Sequence, residues 1–323
     1  MLLVIEPVVH GGLRIALSWL LGMVLFPVFI RWQRRKSLGQ KIKKEGPAMH
    51  LHKENTPSMG GVIVVSVAFL AAFLWPPVPD LFPYILLLFG FFLLGFLDDY
   101  WKSVLGQPWG WKARYRFVLE VLLACGVVWW GRAFFPPTLV VPFTNKVITL
   151  TPASFFLYGV LLIVASCNAF NIADGLDGLA AGCGILTLLF WGILLELLHR
   201  PSFAALAFAF VGGLCAFLWF NCWPAEIFLG DSGSLPIGAL MGILALASGH
   251  SLLLVFSGIV FVIDTLSVIL QVLSFRVLGR RVFLMSPLHH HFELRGEKEA
   301  RVTVRLWMVQ ALGVLLASIG FWR

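Results

Sequence analysis

The stretch NAFNIADGLDGLAAG, Asn168 to Gly182, sets two carboxylates and two carboxamides between long apolar runs. In a helix, Asn168, Asn171, Asp174 and Asp177 follow one another at i, i+3 and share one face. Gly175, Gly178 and Gly182 permit positive φ and close approach of the backbone to a ligand. Ionisable groups are costly in lipid and commonly mark function there. A row of oxygen ligands beside small residues suits a cation, a phosphate chain held through that cation, or a sugar. The plain alternative is a polar cap between two spans.

The apolar runs belong to a pattern that fills the chain. Of the 323 residues, 59% are hydrophobic and 12% charged, and the mean hydropathy is +0.91. Soluble domains carry about 25% charged residues. The composition is that of an integral membrane protein, and a span needs roughly 20 apolar residues. Ten candidate spans follow: 13–31, 59–75, 83–97, 117–135, 152–168, 179–198, 202–220, 235–249, 251–275 and 302–322. The expected fold is all-α and polytopic, one domain over 1–323. The runs do not alternate, which argues against a β-barrel. The first run reads as a retained span rather than a cleaved leader. The five cysteines form no CxxC and read as small core residues.

Nineteen of the 24 Lys and Arg residues fall in the loops after spans one, three, five, seven and nine. The positive-inside rule makes that side cytoplasmic and puts both termini outside. The net charge of +8 is then a topology signal with some attraction to anionic lipid. Nothing argues for a nucleic-acid groove. Asp98, Asp99, Asp174, Asp177 and Asp231 all fall at cytoplasmic ends of spans.

Four further motifs converge on that face. GFLDDYWKS, Gly95 to Ser103, ends a span with the adjacent Asp98 and Asp99 and sets Lys102 one turn on. Adjacent carboxylates repel unless a cation joins them, and such a pair suits Mg²⁺ with phosphate, or a base beside a ligand. FLGDSGSLPIG, Phe228 to Gly238, places Asp231 in a Gly/Ser turn opening a span, where backbone donors attract phosphate. Pro236 falls in the first turn of that span. Asn221 and Phe228 upstream could bond to and stack on a nucleobase. PLHHHFE, Pro287 to Glu293, sets His289, His290 and His291 before a run of cations. Imidazoles donating to phosphate or sugar oxygens fit better there than one metal held by three adjacent residues. HLHKENTPSMGG, His50 to Gly61, offers Lys53 and Ser58 at a span entrance. The chain after the ninth span is expected to break near Leu278–Gly279 and run along the cytoplasmic surface, bringing His289 and His290 over the pocket.

Together these motifs resemble the polyprenyl-phosphate N-acetylhexosamine-1-phosphate transferases, and among them the phospho-N-acetylmuramoyl-pentapeptide transferases. TPSMGG, GFLDDYWK, NAFNIADGLDGLAAG, FLGDSGS and PLHHHFE stand in that family's order over nearly the whole chain. The resemblance implies ten spans, a cytoplasmic active site in the bacterial inner membrane, Mg²⁺, and commonly a homodimer. It implies transfer of phospho-MurNAc-pentapeptide from UDP-MurNAc-pentapeptide to undecaprenyl phosphate, giving lipid I and UMP. By position, Asp98 matches a base toward the lipid phosphate, Asp99 its neighbour, and Asp231 the Mg²⁺ ligand, with Asp174 a second candidate ligand. Asp174, Gly175, Leu176 and Asp177 match the nucleoside pocket, with Phe228 as the stacking ring and Asn221 beside it. Lys53, Ser58, Lys102, Arg116, Asn168, Asn171, His289, His290 and His291 match other polar positions of the site, His289 among the catalytic ones. The chain departs from the family at Asn55, Ser58, Arg116 and Ile172–Ala173. Direct attack and a two-step route through an Asp nucleophile both stay open, and so does a relative acting on another UDP-sugar. A cation-coupled transporter is the rival class, but it expects acids at the bilayer midplane, and only Asp264, Glu120 and Glu196 lie deep.

Overall fold

The computed structural model describes residues 2–36, 56–74, 82–105, 110–144 and 146–322. Lys53 and Asn55 lie outside the described residues. Among these residues the α-helices are α1 (Leu2–Arg35), α2 (Gly61–Leu74), α3 (Phe82–Ser103), α4 (Ala113–Gly131), α5 (Pro152–Ala173), α6 (Leu179–Leu197), α7 (Pro201–Asn221), α8 (Asp231–Ser248), α9 (Leu254–Ser257), α10 (Ile259–Leu278), α11 (Leu288–Leu294) and α12 (Glu299–Trp322).

Eight of them are long and apolar enough to cross a membrane: α1 from Val9, α3, α5, α6, α7, α8, α10 and α12. This is a polytopic helical membrane protein. Two of the ten expected spans fall on helices that miss that standard. α2 has 14 residues, and α4 carries Arg114, Arg116 and Glu120 in its first half. The all-α expectation also omits one element. β1 (Thr138–Val140) pairs antiparallel with β2 (Val147–Thr149), Thr138 opposite Thr149 and Val140 opposite Val147. The β-branched residues of that loop favour extended backbone.

α8 is buried along its whole length and packs against α3, α5 and α2. Its Gly, Ala and Ser residues let neighbouring backbones approach closely, as membrane interfaces require. It begins at Asp231, earlier than the expected 235, so Pro236 sits inside the helix instead of in its first turn. The extra turn is held from outside, because the backbone N–H groups of Asp231 and Ser232 donate to the carboxylate of Asp99 at 3.0 and 2.8 Å.

The expected ninth span is not one helix. A 3₁₀ turn (Ser251–Leu253) and α9 precede a break at Gly258, after which α10 begins. A break in lipid frees backbone groups that must be paired again. The Gln310 carboxamide of α12 does this: it accepts from Val260 N–H at 3.0 Å and donates to the Ser257 carbonyl and to Thr187 Oγ1.

α10 ends at Leu278, where Gly279 turns left-handed with φ +64. The following segment folds back beside α10, fastened by a polar stripe at helical spacing. Ser274 Oγ donates to Arg280 O at 2.9 Å, Gln271 Oε1 accepts from Val282 and Phe283 N–H at 3.0 Å, and Asp264 receives His289. The opposite face of α10, with Leu266, Ile269, Leu270, Leu273 and Val277, is exposed and apolar, as a lipid-facing surface requires.

Candidate active site

Antiparallel packing brings four helix ends to one place: the C-terminal ends of α3 and α5 and the N-terminal ends of α4 and α8. Asp98, Asp99 and Lys102 come from α3, Arg116 and Glu120 from α4, Asn168 and Asn171 from α5, and Asp231 from α8. Gly95 makes the α3–α8 contact possible, since a Cβ there would lie 2.0 Å from the Asp231 carbonyl oxygen.

Asp231 is the hub. Its Oδ2 accepts from Lys102 Nζ at 2.7 Å and from Arg116 Nη1 at 3.0 Å, and its Oδ1 accepts from Asn171 Nδ2 at 2.6 Å. Asn171 Nδ2 also reaches Ser234 Oγ at 2.8 Å. Lys102 pairs with Asp98 as well, and Arg116 Nη1 lies 4.0 Å from it. Asp98 Oδ1 accepts from Trp111 N–H at 2.6 Å. Two nearly buried carboxylates are thus joined by two partly exposed cations, as like charges so close require. Glu120 holds the rear of the cluster, 3.4 Å from Arg116 Nε, and accepts from Asn168 Nδ2 at 2.6 Å.

Asp99 stands apart. Both its oxygens accept backbone N–H groups of α8, so its hydrogen bonds reach the hub through the chain. Chain neighbours Asp98 and Asp99 therefore face different tasks.

The turn after α5 is fastened on every side. Asp177 N–H donates to Glu299 Oε1 at 2.8 Å, and its Oδ2 accepts from Ala225 N–H at 2.9 Å. Thr303 Oγ1 donates to Asp177 O at 3.2 Å. Asn221 accepts from Gly178 N–H at 2.9 Å and donates to Ile227 O at 2.8 Å. Asn221 thus stitches backbone, a use the expected contact with a nucleobase did not include. Asp174 ends α5, half-buried, and Leu176 is buried. Phe228 is half-buried, with its backbone held to Pro57 O and Gly60 N–H, each at 2.8 Å. Ser58 is anchored through its backbone to Gln33.

The histidines separate by environment. His289 is buried against Asp264, and a Cβ on Gly175 would meet its Nε2 at 2.5 Å and His290 Nε2 at 3.4 Å. His290 Nδ1 lies 2.7 Å from Glu293 Oε2. His291 Nδ1 accepts from Leu284 N–H at 3.1 Å and so serves the return segment. The run therefore reaches the Asp174–Gly175 turn, about one helical turn from the Asn171–Asp231 contact.

Sequence reasoning placed Asp98, Lys102, Arg116, Asn171 and Asp231 in one site, and the structure brings them together. It read Glu120 and Asp264 only as deep acids and overlooked Ser234, Glu299 and Gln33. The usable signals were local: Glu120 lies four residues after Arg116, and Asp264 shares a helix face with Gln271 and Ser274.

Among the described residues no three His, Cys, Asp or Glu side chains gather as a metal cluster. The all-oxygen pair Asp98 and Asp231 suits an ion that is held by one or two carboxylates and completes its shell with water and phosphate, which is the habit of Mg²⁺.

Residues 81–249 match the model of glycosyl transferase family 4. The chain is 41% identical over 320 residues to the phospho-N-acetylmuramoyl-pentapeptide-transferase of Geobacillus kaustophilus, covering 96% of each. It is 40% identical over 314 residues to that of Moorella thermoacetica, covering 95% of this chain and 96% of the relative. It is 37% identical over 304 residues to that of Caldanaerobacter subterraneus, covering 93% and 95%. With a family model over its centre and relatives along its length, the chain belongs to the phospho-N-acetylmuramoyl-pentapeptide-transferase family, within glycosyl transferase family 4.

Proposed function

We propose that this protein transfers phospho-MurNAc-pentapeptide from UDP-MurNAc-pentapeptide to undecaprenyl phosphate, giving lipid I and UMP, at the cytoplasmic face of the bacterial inner membrane with Mg²⁺. One observation carries the reading: Asp98, Lys102, Arg116, Asn171 and Asp231 converge from four helices at one end of the bundle. Carboxylates and cations in one partly exposed cluster suit a diphosphate whose charge must be both neutralised and positioned.

In this mechanism an oxygen of the lipid phosphate attacks the β-phosphorus of the UDP-sugar. The bond from that phosphorus to the bridging oxygen breaks, and UMP leaves with the electron pair. Asp98 accepts the proton of the attacking phosphate or holds it in line. Asp231, with Asp98, would hold Mg²⁺, which supplies charge neutralisation to the diphosphate. Lys102 and Arg116 exchange part of their carboxylate contacts for phosphate oxygens, Arg116 through a planar fork. Asp99 positions Asp231 through the start of α8. The turn Asp174–Asp177 with Phe228 forms the nucleoside side, and His289 with His290 the sugar-phosphate side.

The test is radiolabel transfer from UDP-MurNAc-pentapeptide into an extractable lipid. Product that forms with Mg²⁺ and disappears with chelator supports the reading. No lipid product from folded protein under either condition overturns it.

A further inference from the structure

His289 is 1% exposed, and its ring nitrogens have unlike surroundings. Nδ1 lies 2.8 Å from Asp264 Oδ2, and the His289 backbone N–H donates to Asp264 Oδ1 at 3.3 Å. A carboxylate accepts from an imidazole N–H, and Nδ1 is the ring nitrogen placed to donate to it. Nε2 has no hydrogen-bond partner among the described residues and lies against the backbone of Gly175. Gly175 follows Asp174 directly, and Asn171, one turn earlier, is bonded to Asp231. A buried nitrogen left without a partner costs free energy that a bound group can recover.

Asp264 is itself fully buried, within the apolar α10. It grips the backbone and the ring of the same residue, which removes the freedom of His289 to turn. From these contacts we infer that Asp264 is a positioning residue for the transfer: it fixes the Nδ1–H form of His289 and aims Nε2 at substrate bound beside Asp174 and Gly175. A carboxylate behind an imidazole selects tautomer and orientation in many active sites. The inference rests on the transferase reading above. It gives the deepest carboxylate of α10 a task other than carrying ions across the membrane.

The test is a double-mutant cycle on the full-length protein: wild type, Asp264→Asn, His289→Ala and the pair. Turnover, KM for UDP-MurNAc-pentapeptide and melting temperature are measured for each. Asp264→Asn is expected to lower kcat about a hundredfold, as loss of a near-attack geometry does, with KM within about twofold of wild type. The double variant is expected to be no slower than His289→Ala alone, because residues acting through one another are not additive. If Asp264→Asn does not fold, Asp264→Glu replaces it, keeping the charge but moving it by one methylene. Losses that multiply in the double variant overturn the inference, as do near-normal kcat in Asp264→Asn or activity that falls only in step with melting temperature. A wild-type protein that makes no lipid product removes the transferase reading, and this role with it, an outcome distinct from the other three.

Discussion

Asp99 caps the helix that Asp231 begins: its Oδ1 accepts the backbone N–H of Asp231 at 3.0 Å. Neighbouring acids in one motif are thereby given separable consequences. Asp99→Ala leaves two buried N–H groups of α8 without an acceptor, which costs about 1–3 kcal/mol, so melting temperature and transfer should fall together. Asp231→Asn keeps the helix start and removes charge from the hub, so transfer should fall at least about a hundredfold, as loss of several kcal/mol of charge stabilisation implies, with folded yield retained. Calorimetry and the lipid-transfer assay on both variants decide. Near-normal turnover in Asp231→Asn would remove it from the reaction, and an inactive but fully stable Asp99→Ala would place Asp99 in it.

Phe228 holds its neighbours through its backbone, to Pro57 and Gly60, so changes to its ring should leave that anchorage intact. Phe228→Ala is expected to weaken UDP-sugar binding by about 1–3 kcal/mol, the scale of base–aromatic stacking, and Phe228→Trp to be better tolerated. Titration calorimetry with UDP-MurNAc-pentapeptide measures both. Small and equal effects would return the ring to simple packing.

The three histidines should respond in order of their contacts. His289→Ala removes a buried ring beside Gly175 and should cost activity about a hundredfold or more, the scale of a positioned acid–base group. His291→Ala removes an acceptor of Leu284 N–H and should cost about 1 kcal/mol of stability with little change in turnover. Turnover beside melting temperature for each variant checks the order. Three equally mild variants would make the run an ordinary surface turn.

Orientation follows from the basic loops and is testable on exposed residues. Arg114 and Thr144 are both exposed, at opposite ends of the α4 region. Arg114→Cys should stay unlabelled by an impermeant thiol reagent in intact cells, and Thr144→Cys should react, because the basic side faces the cytoplasm. The exposed Cys222 lies on the expected inner side and gives an internal blank. The reverse pattern would put the site outside the cell.

The membrane class and most of the site were legible because apolar runs and isolated acids are local signals. Asp98, Lys102 and Asp231 lie at ends of such runs, and antiparallel packing alone brings those ends together. The break at Gly258 was not legible, since a run of apolar residues reads the same whether one helix or two cross it. Its repair comes from Gln310, far along the chain. The return of the chain beside α10 was hidden for a similar reason. Asp264, Gln271 and Ser274 look like scattered polar residues until a partner strand of backbone is laid against them. The pairing of Asn221 with Gly178 and Ile227 was equally hidden, since a carboxamide's backbone partners are set by the fold and not by its place in the sequence.

The carboxamide of Gln310 makes the enzyme vulnerable far from its chemistry. It bridges Val260, Ser257 and Thr187, and α10, which it secures, carries Asp264 to His289. A leucine at that position would fill the space but abandon the Val260 N–H to hydrocarbon, where it finds no water, and leave the Ser257 carbonyl to Thr187 Oγ1 alone. The resulting lesion should be thermolabile: substrate affinity intact in the cold, and catalysis failing on warming as the two halves of the broken helix lose their common fastening.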